Sequence, residues 1–265
     1  MPNGSAGCPL PGTDSFPVSV PAVTADQMRE VDRLAVEVYG IQLVQMMEQA
    51  GRALAELARR LLGGTVEGRR VIVAAGKGNN GGGGLAAARM LANWGAHVAV
   101  IVEKANLLAG VPALQHHAAR MAGAAVSEGR AAFDLVCQDD GDLIVDALIG
   151  YGLKGAPRGW TGEMITQMNR SGTNVLSLDI PSGLDATSGE CILPCVRAAA
   201  TLTLALPKTG LLTSAGRAAA GALYLADIGI PPILYRELGM TVGPIFSRES
   251  IMPIGLQRDD SPRGQ

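Results

Sequence analysis

Val71-Ile72-Val73-Ala74-Ala75-Gly76-Lys77-Gly78-Asn79-Asn80-Gly81-Gly82-Gly83-Gly84-Leu85 decides the fold of this chain. An apolar run enters a glycine-dense turn, and an alanine-rich run over residues 85–91 follows. Strand, glycine turn and helix together make a grip for phosphate or nucleotide. Glycine lets the backbone come close, and the free N–H groups at the helix start face the anion. Gly76, Gly78 and Gly81 also satisfy the G-x-G-x-x-G spacing of a dinucleotide-binding turn. Two asparagines and a run of successive glycines exceed what that fingerprint asks for.

The same alternation continues along the chain. Residues 71–75 are expected as a strand, 84–93 as a helix and Trp94-Gly95 as its stop. A strand over 98–102 and a helix over 113–121 come next. Residues 143–147 read as a strand, 161–169 as a helix and 175–179 as a strand, with further strands over 201–206 and 222–228. Near-continuous apolar strands joined by helices imply an α/β fold whose largely parallel sheet is covered on both faces. Two helices precede this unit. Thr24 stands before Met28, Val31, Leu34, Ala35 and Val38 at helical spacing, and Gly40 ends the segment. Leu43 opens a longer helix in which Met46, Met47, Ala50, Leu54, Leu57, Ala58 and Leu61 recur at three and four residues. These stripes are expected to cover one sheet face or to serve an interface, with the methionines as packing residues.

At 265 residues and 48% apolar side chains, the chain can build one large domain with a sizeable core. Aromatics are only 3%, so that core is expected from Val, Leu, Ile, Ala and Met. The formal charge is -2 and no Lys/Arg block stands out, which argues against nucleic acid as partner. Neither a signal peptide nor a bilayer-spanning run is apparent, so a soluble cytoplasmic protein is expected, with no membrane partner. Residues 1–22 read as a flexible arm, 23–240 as the folded domain, and 241–265 as a tail that partly packs. Cys8, Cys137, Cys191 and Cys195 have neither framework nor zinc spacing and read as reduced thiols.

In such folds the ligand lies beyond the carboxyl ends of the strands. Three loops are therefore expected to converge. They are the 79–84 turn, Gly150-Tyr151-Gly152-Leu153-Lys154-Gly155-Ala156 behind Asp146, and Ile180-Pro181-Ser182-Gly183-Leu184-Asp185 behind Asp179. An apolar strand that ends in Asp needs compensation, because an unpaired buried carboxylate is costly. Either aspartate alone could cap a backbone turn; their shared position at the active edge favours a site. Asn80, Asp146 and Ser182 offer only oxygen, which suits a hard cation if they converge. One carboxylate among neutral oxygens suits a monovalent ion better than a divalent one. Asp179 is the candidate for proton transfer. Lys77 and Lys154 could meet phosphate or face solvent, and Lys208 could neutralise a ligand or pair with an aspartate. His97, His116 and His117 lie away from the expected strand ends and read as surface or packing residues.

Six stretches sharpen this reading. They are Gln27-Met28-Arg29-Glu30-Val31-Asp32, Met47-Glu48-Gln49-Ala50-Gly51, the 76–84 turn, Val145-Asp146-Ala147-Leu148-Ile149-Gly150-Tyr151-Gly152-Leu153, Asp179-Ile180-Pro181-Ser182-Gly183-Leu184-Asp185, and Pro207-Lys208-Thr209-Gly210-Leu211. In this order the chain resembles the YjeF N-terminal domain family, the NAD(P)H-hydrate epimerases, over roughly residues 23–238. The resemblance implies a Rossmann-like three-layer αβα sandwich, commonly a homodimer. It implies action on NADHX and NADPHX, cofactors damaged by water added at C6 of the nicotinamide ring. Their R and S epimers would be interconverted so that a separate NAD(P)H-hydrate dehydratase restores the S form. It also implies a potassium ion (K+) held by Asn80, Asp146 and Ser182. Asn79, Asn80, Gly81, Gly82 and Gly83 would line the hydrated dinucleotide, as would Gly150, Tyr151, Gly152, Leu153, Lys154, Gly155 and Ala156. Asp179 would stand beside the hydrated ring as general acid and base. No fused dehydratase module is expected after Leu238.

One position departs from the family pattern Asn-Asn-Gly-Gly-Asp-Gly: Gly83 stands where an aspartate is usual. This removes a charge and is expected to loosen the loop. The lost acid is either a support whose absence weakens binding, or a mark of a lost or altered reaction. Two rival functions use the same residues. An NAD(P)-dependent oxidoreductase would place Gly76, Gly78 and Gly81 at the pyrophosphate and Glu103 on the ribose, leaving Asn79-Asn80 and the 179–185 loop unexplained. A non-catalytic nucleotide-binding or scaffold protein would account for Gly83 and the two leading helices.

Overall fold

The computed structural model describes residues 20–134 and 141–255. Cys8, Cys137, most of the expected N-terminal arm and the last part of the expected tail lie outside these residues. Eight strands form one sheet among the described residues: β1 (Arg70–Ala75), β2 (His97–Val102), β3 (Ala125–Glu128), β4 (Leu143–Ala147), β5 (Val175–Leu178), β6 (Ala200–Leu204), β7 (Ala222–Ala226) and β8 (Ile251–Pro253). Their order is β3-β2-β1-β4-β5-β6-β7-β8. Every pairing is parallel except β7 with β8.

Alternate residues of each strand serve opposite faces. Val71, Val73 and Ala75 of β1 join Leu143, Val145 and Ala147 of β4 in one core. Ile72, Ala74 and Ile144 point into the other. The helices α2 (Leu43–Leu61), α3 (Asn79–Asn93) and α4 (Gly110–Met121) cover the first face, packed α2 on α3 and α3 on α4. On the second face lies α5 (Gly159–Arg170), through Trp160, Met164, Ile165 and Met168. A short α6 (Ser214–Ala220) runs into β7. The result is a Rossmann-like three-layer αβα sandwich.

The first helix, α1 (Ala25–Glu37), starts at a capping box: Thr24 Oγ1 accepts from Gln27 N at 3.2 Å, and Gln27 Oε1 accepts from Thr24 N at 2.9 Å. Met28, Val31, Leu34 and Ala35 are buried against Leu206, Ile228 and Leu234, but Val38 is 64% exposed, so the apolar stripe stops short of it. Of the two leading helices, then, α2 covers a sheet face by way of α3, and α1 packs on segments that follow β6 and β7.

Three features correct the sequence-based expectation. Residues 79–84 are not a loop but the opening turns of α3. Glycine propensity argues against helix, and tertiary packing overrides it: a Cβ on Gly84 would lie 2.4 Å from Ala147 Cβ, and one on Gly82 2.5 Å from Met47 Sδ. Second, β3 was not expected, because Ala125-Val126-Ser127-Glu128 is short and half-exposed rather than an apolar run. Third, β8 extends the sheet within the segment expected as tail.

Candidate active site

The order of strands reverses between β1 and β4, and the chain leaves their carboxyl ends in opposite directions. A crevice opens there by topology. Glycines let the two strand exits touch. A Cβ on Gly76 would sit 1.9 Å from Leu148 O, and one on Gly81 1.8 Å from Gly76 O. No side chain caps α3, whose N-cap is Gly78. The first N–H groups of a helix have no partner within it, so this end of α3 is left open to an anion.

Asp146 lies inside this framework, fully buried. Register places it beside Ser177 of β5, and Ser177 Oγ donates to Asp146 Oδ2 at 2.8 Å. Ser182 donates to the same carboxylate twice, from N at 2.9 Å and from Oγ at 2.6 Å, and Leu148 N adds a fourth bond at 3.2 Å. Burial pushes the Asp146 carboxyl above the usual carboxylate range, and these hydrogen bonds act against that rise. No cationic side chain pairs with Asp146 among the described residues. Nearby, a Cβ on Gly150 would lie 3.2 Å from Asn80 Oδ1 and 3.1 Å from Asp179 Oδ2, so Asn80 and Asp179 flank the same glycine. The Asn80 Nδ2 atom is buried without a hydrogen-bond partner.

Asp179 follows β5 with φ of 70°, a conformation that favours Gly, Asn and Asp. Its N–H donates to Leu202 O at 2.7 Å, and its Oδ2 accepts from Tyr151 N at 3.1 Å. Its Oδ1 is paired with Lys208 Nζ. Lys208 is fully buried and also donates to Leu204 O at 2.9 Å. Ala205, the residue after that carbonyl, has φ of 63°. The two adjacent strands thus each end in a left-handed residue beside the ion pair.

A cavity of about 470 Å³ opens over these groups. Of the residues expected at a substrate, Asn79, Asn80 and Gly83 line it from α3, Gly150, Tyr151 and Gly152 from the loop after β4, and Asp179 from β5. Gly81 and Gly82 are packed beneath, and Leu153, Lys154, Gly155 and Ala156 are outside the lining. Lys77 lines the cavity and Lys208 closes its wall. Glu103, the ribose ligand of the oxidoreductase reading, is exposed and not among the lining residues. Sequence reasoning did not single out Asp32 on the wall, although the stretch that contains it had been noted.

Gly83 is buried in α3 rather than part of a loosened loop. A Cβ there would meet Leu178 Cδ2 at 2.9 Å and Ala50 Cβ at 3.7 Å. Leu178 therefore occupies room that a side chain at this position would need. Gly83→Asp is expected to destabilise by about 1 kcal/mol, because the end of the Leu178 side chain must shift while loss of a helical glycine returns part of the cost. Thermal denaturation measures it, and adding Leu178→Val should recover much of the loss.

Fold and crevice together define an α/β protein of nucleotide-binding type, with its polar groups gathered at the carboxyl ends of parallel strands. The chain belongs to the family described as YjeF-related protein N-terminus, whose profile matches residues 43–210. It is 46% identical over 224 residues to an NAD(P)H-hydrate epimerase of Dehalogenimonas lykanthroporepellens, covering 84% of this chain and 87% of that one. A bifunctional NAD(P)H-hydrate repair enzyme Nnr of Moorella thermoacetica is 39% identical over 219 residues, of which this chain spans 40% of the length. The crystal structure of yeast ynu0, YNL200c, shares the fold, with a TM-score of 0.77 at 23% identity, covering 89% of this chain and all of that one.

Proposed function

We propose that this protein is an NAD(P)H-hydrate epimerase that interconverts the R and S epimers of NADHX and NADPHX. In this reading it works in the cytoplasm as a homodimer, in nicotinamide cofactor repair, beside a separate dehydratase. The placement of Asp179 carries the reading: a carboxylate at a strand end, paired with buried Lys208 and facing a cavity whose floor is an uncapped helix start. The similarity to epimerases over most of the chain supports it.

The hydrated ring bears its hydroxyl on C6, bonded to the ring nitrogen. Departure of that hydroxyl as water takes one proton from the Asp179–Lys208 pair, and the nitrogen lone pair stabilises the ring cation. Water then adds to the opposite face and returns the proton to the pair, so the reaction balances without a redox step. Asn79, Asn80 and Gly83 hold the dinucleotide at the start of α3, on the packing that Gly81 and Gly82 make beneath. Gly150, Tyr151 and Gly152 cover its other side. Positioning of C6 against Asp179 supplies much of the acceleration.

The donor set fits a monovalent cation. Asp146 is a buried carboxylate with no ion-pair partner among the described residues, Ser182 touches it, and Asn80 brings an amide oxygen beside Gly150 of the neighbouring loop. No group of three or more Cys, His, Asp or Glu side chains suited to a metal occurs among the described residues. Asn80, Asp146 and Ser182 would hold K+, and the ion would supply a positive charge opposite Asp146 between the two loops. Potassium at about 100 times its Kd is expected to stabilise the protein by about 2.7 kcal/mol. Asp146→Asn should abolish the shift in a thermal melt, with sodium as the control.

The activity is tested by adding purified protein to R-NADHX with a strictly S-specific dehydratase, with and without potassium. Faster recovery of NADH is expected. An unchanged rate in both conditions overturns the reading.

A further inference from the structure

Four acidic side chains lie on α1: Asp26, Glu30, Asp32 and Glu37. Three are engaged along the helix surface, Asp26 with Arg29, and Glu30 and Glu37 with Arg33. Asp32 turns the other way, onto the cavity wall. There its Oδ2 accepts the hydroxyl hydrogen of Tyr151, 119 residues further along the chain. Burial holds the Asp32 carboxyl above its ordinary range, with the Tyr151 bond and the Lys208 charge acting against the rise. Placing a carboxylate here costs free energy. Anchoring of α1 does not require it, because Met28, Val31, Leu34 and Ala35 are already buried in a shared core.

The tie leads to the reacting group. The main-chain N–H of Tyr151 donates to Asp179 Oδ2 at 3.1 Å, while the Tyr151 ring centre lies 5.9 Å from Lys208 Nζ. Tyr151 thus reaches both members of the Asp179–Lys208 pair. Gly150 and Gly152 on either side give its backbone little stiffness of its own. Holding the phenol, by its bond to Asp32 and by its packing on the apolar clusters around it, helps to hold the amide. The segment ahead of α1 makes a second tie at the same place: Val23 N donates to Pro207 O and Thr209 N donates to Val23 O, both at 2.9 Å, on either side of Lys208.

We propose that Asp32 is a positioning residue for this site. Through the Tyr151 hydroxyl it sets the Tyr151 amide that orients the Asp179 carboxylate, and it gives the first helix a part in the chemistry. The proposal rests on the epimerase reading for its kinetic arm only. A purely structural role would instead lower stability and leave the geometry around Asp179 unchanged.

The test compares Asp32→Ala, Tyr151→Phe, the double variant and Asp32→Asn with the parent, by R-NADHX epimerisation and by amide hydrogen exchange over residues 149–152. Asp32→Ala and Tyr151→Phe are each expected to lower kcat about 10- to 100-fold, with KM changed by less than about threefold. The double variant should be no slower than the worse single, and Asp32→Asn, which keeps an acceptor oxygen, should recover most of the rate. Exchange over 149–152 should accelerate in both single variants while the melting temperature holds. Unchanged kcat in Asp32→Ala, losses that multiply in the double variant, or unchanged exchange over 149–152 would each overturn the proposal. A parent that does not epimerise defeats the epimerase reading instead. The exchange measurement, which needs no turnover, then decides the role of Asp32 alone.

Discussion

Asp179→Asn is expected to lower the epimerisation rate by about 10²–10⁴-fold and, because buried Lys208 loses its counter-charge, to lower the melting temperature as well. Asparagine is the informative replacement at this position. Asp179 has φ of 70°, and asparagine accepts that conformation, whereas alanine or leucine would add backbone strain to the chemical loss. The amide keeps one oxygen, so it accepts from only one of the two donors that Asp179 serves with separate oxygens, Tyr151 N–H at Oδ2 and Lys208 at Oδ1. What disappears is the carboxylate that pairs with Lys208. Initial rates with R-NADHX, read against an unchanged circular dichroism spectrum, separate the two effects. A variant that epimerises at the parent rate would remove Asp179 from the mechanism.

The second large effect concerns stability. Lys208→Met should destabilise the protein by about 3–5 kcal/mol, because Asp179 is then left buried without its counter-charge. At about 2–4 °C per kcal/mol for a domain of this size, the melting temperature should fall by roughly 6–20 °C. Lys208 has no exposed surface from which water could replace the lost interaction. The same change frees Leu204 O, which Lys208 bonds at 2.9 Å. Combining Lys208→Met with Asp179→Asn removes the stranded charge, so the double variant should be less destabilised than the sum of the two. Strictly additive losses would mean that the two side chains are not coupled. Activity should be lost in both cases, which separates the stability argument from the kinetic one.

Much of this architecture could be read along the chain, for reasons that differ between elements. The strand expected over 143–147 matches β4 because buried parallel strands are apolar throughout. The second helix was readable from its three- and four-residue spacing, and α2 begins and ends where that spacing does. Residues 79–84 were misread as a loop because propensity is local, whereas the contacts of Gly82 with Met47 and of Gly84 with Ala147 come from distant segments. At the site, the strand-end rule pointed to the loops around Asn80, Gly150 and Asp179, which line one cavity. It left the partner of Lys208 open between a ligand and an aspartate. Nothing in the spacing tells how far the chain after β6 folds back toward the end of β5. Asp32 escaped notice for a related reason. Its helix carries several acids, and only the docking of α1 shows which one faces inward.

The glycines of α3 have one more consequence. Four successive glycines forfeit about 3–4 kcal/mol of helical preference relative to alanine. The turn that faces the anion therefore has almost no rigidity of its own and takes its shape from Met47 on one side and Ala147 on the other. Affinity at the mouth of the crevice becomes a readout of packing in the interior. A methyl group gained at Ala147, which is not among the residues lining the cavity, would reach the ligand without touching it, so a residue beneath the cavity can tune recognition as the protein diverges.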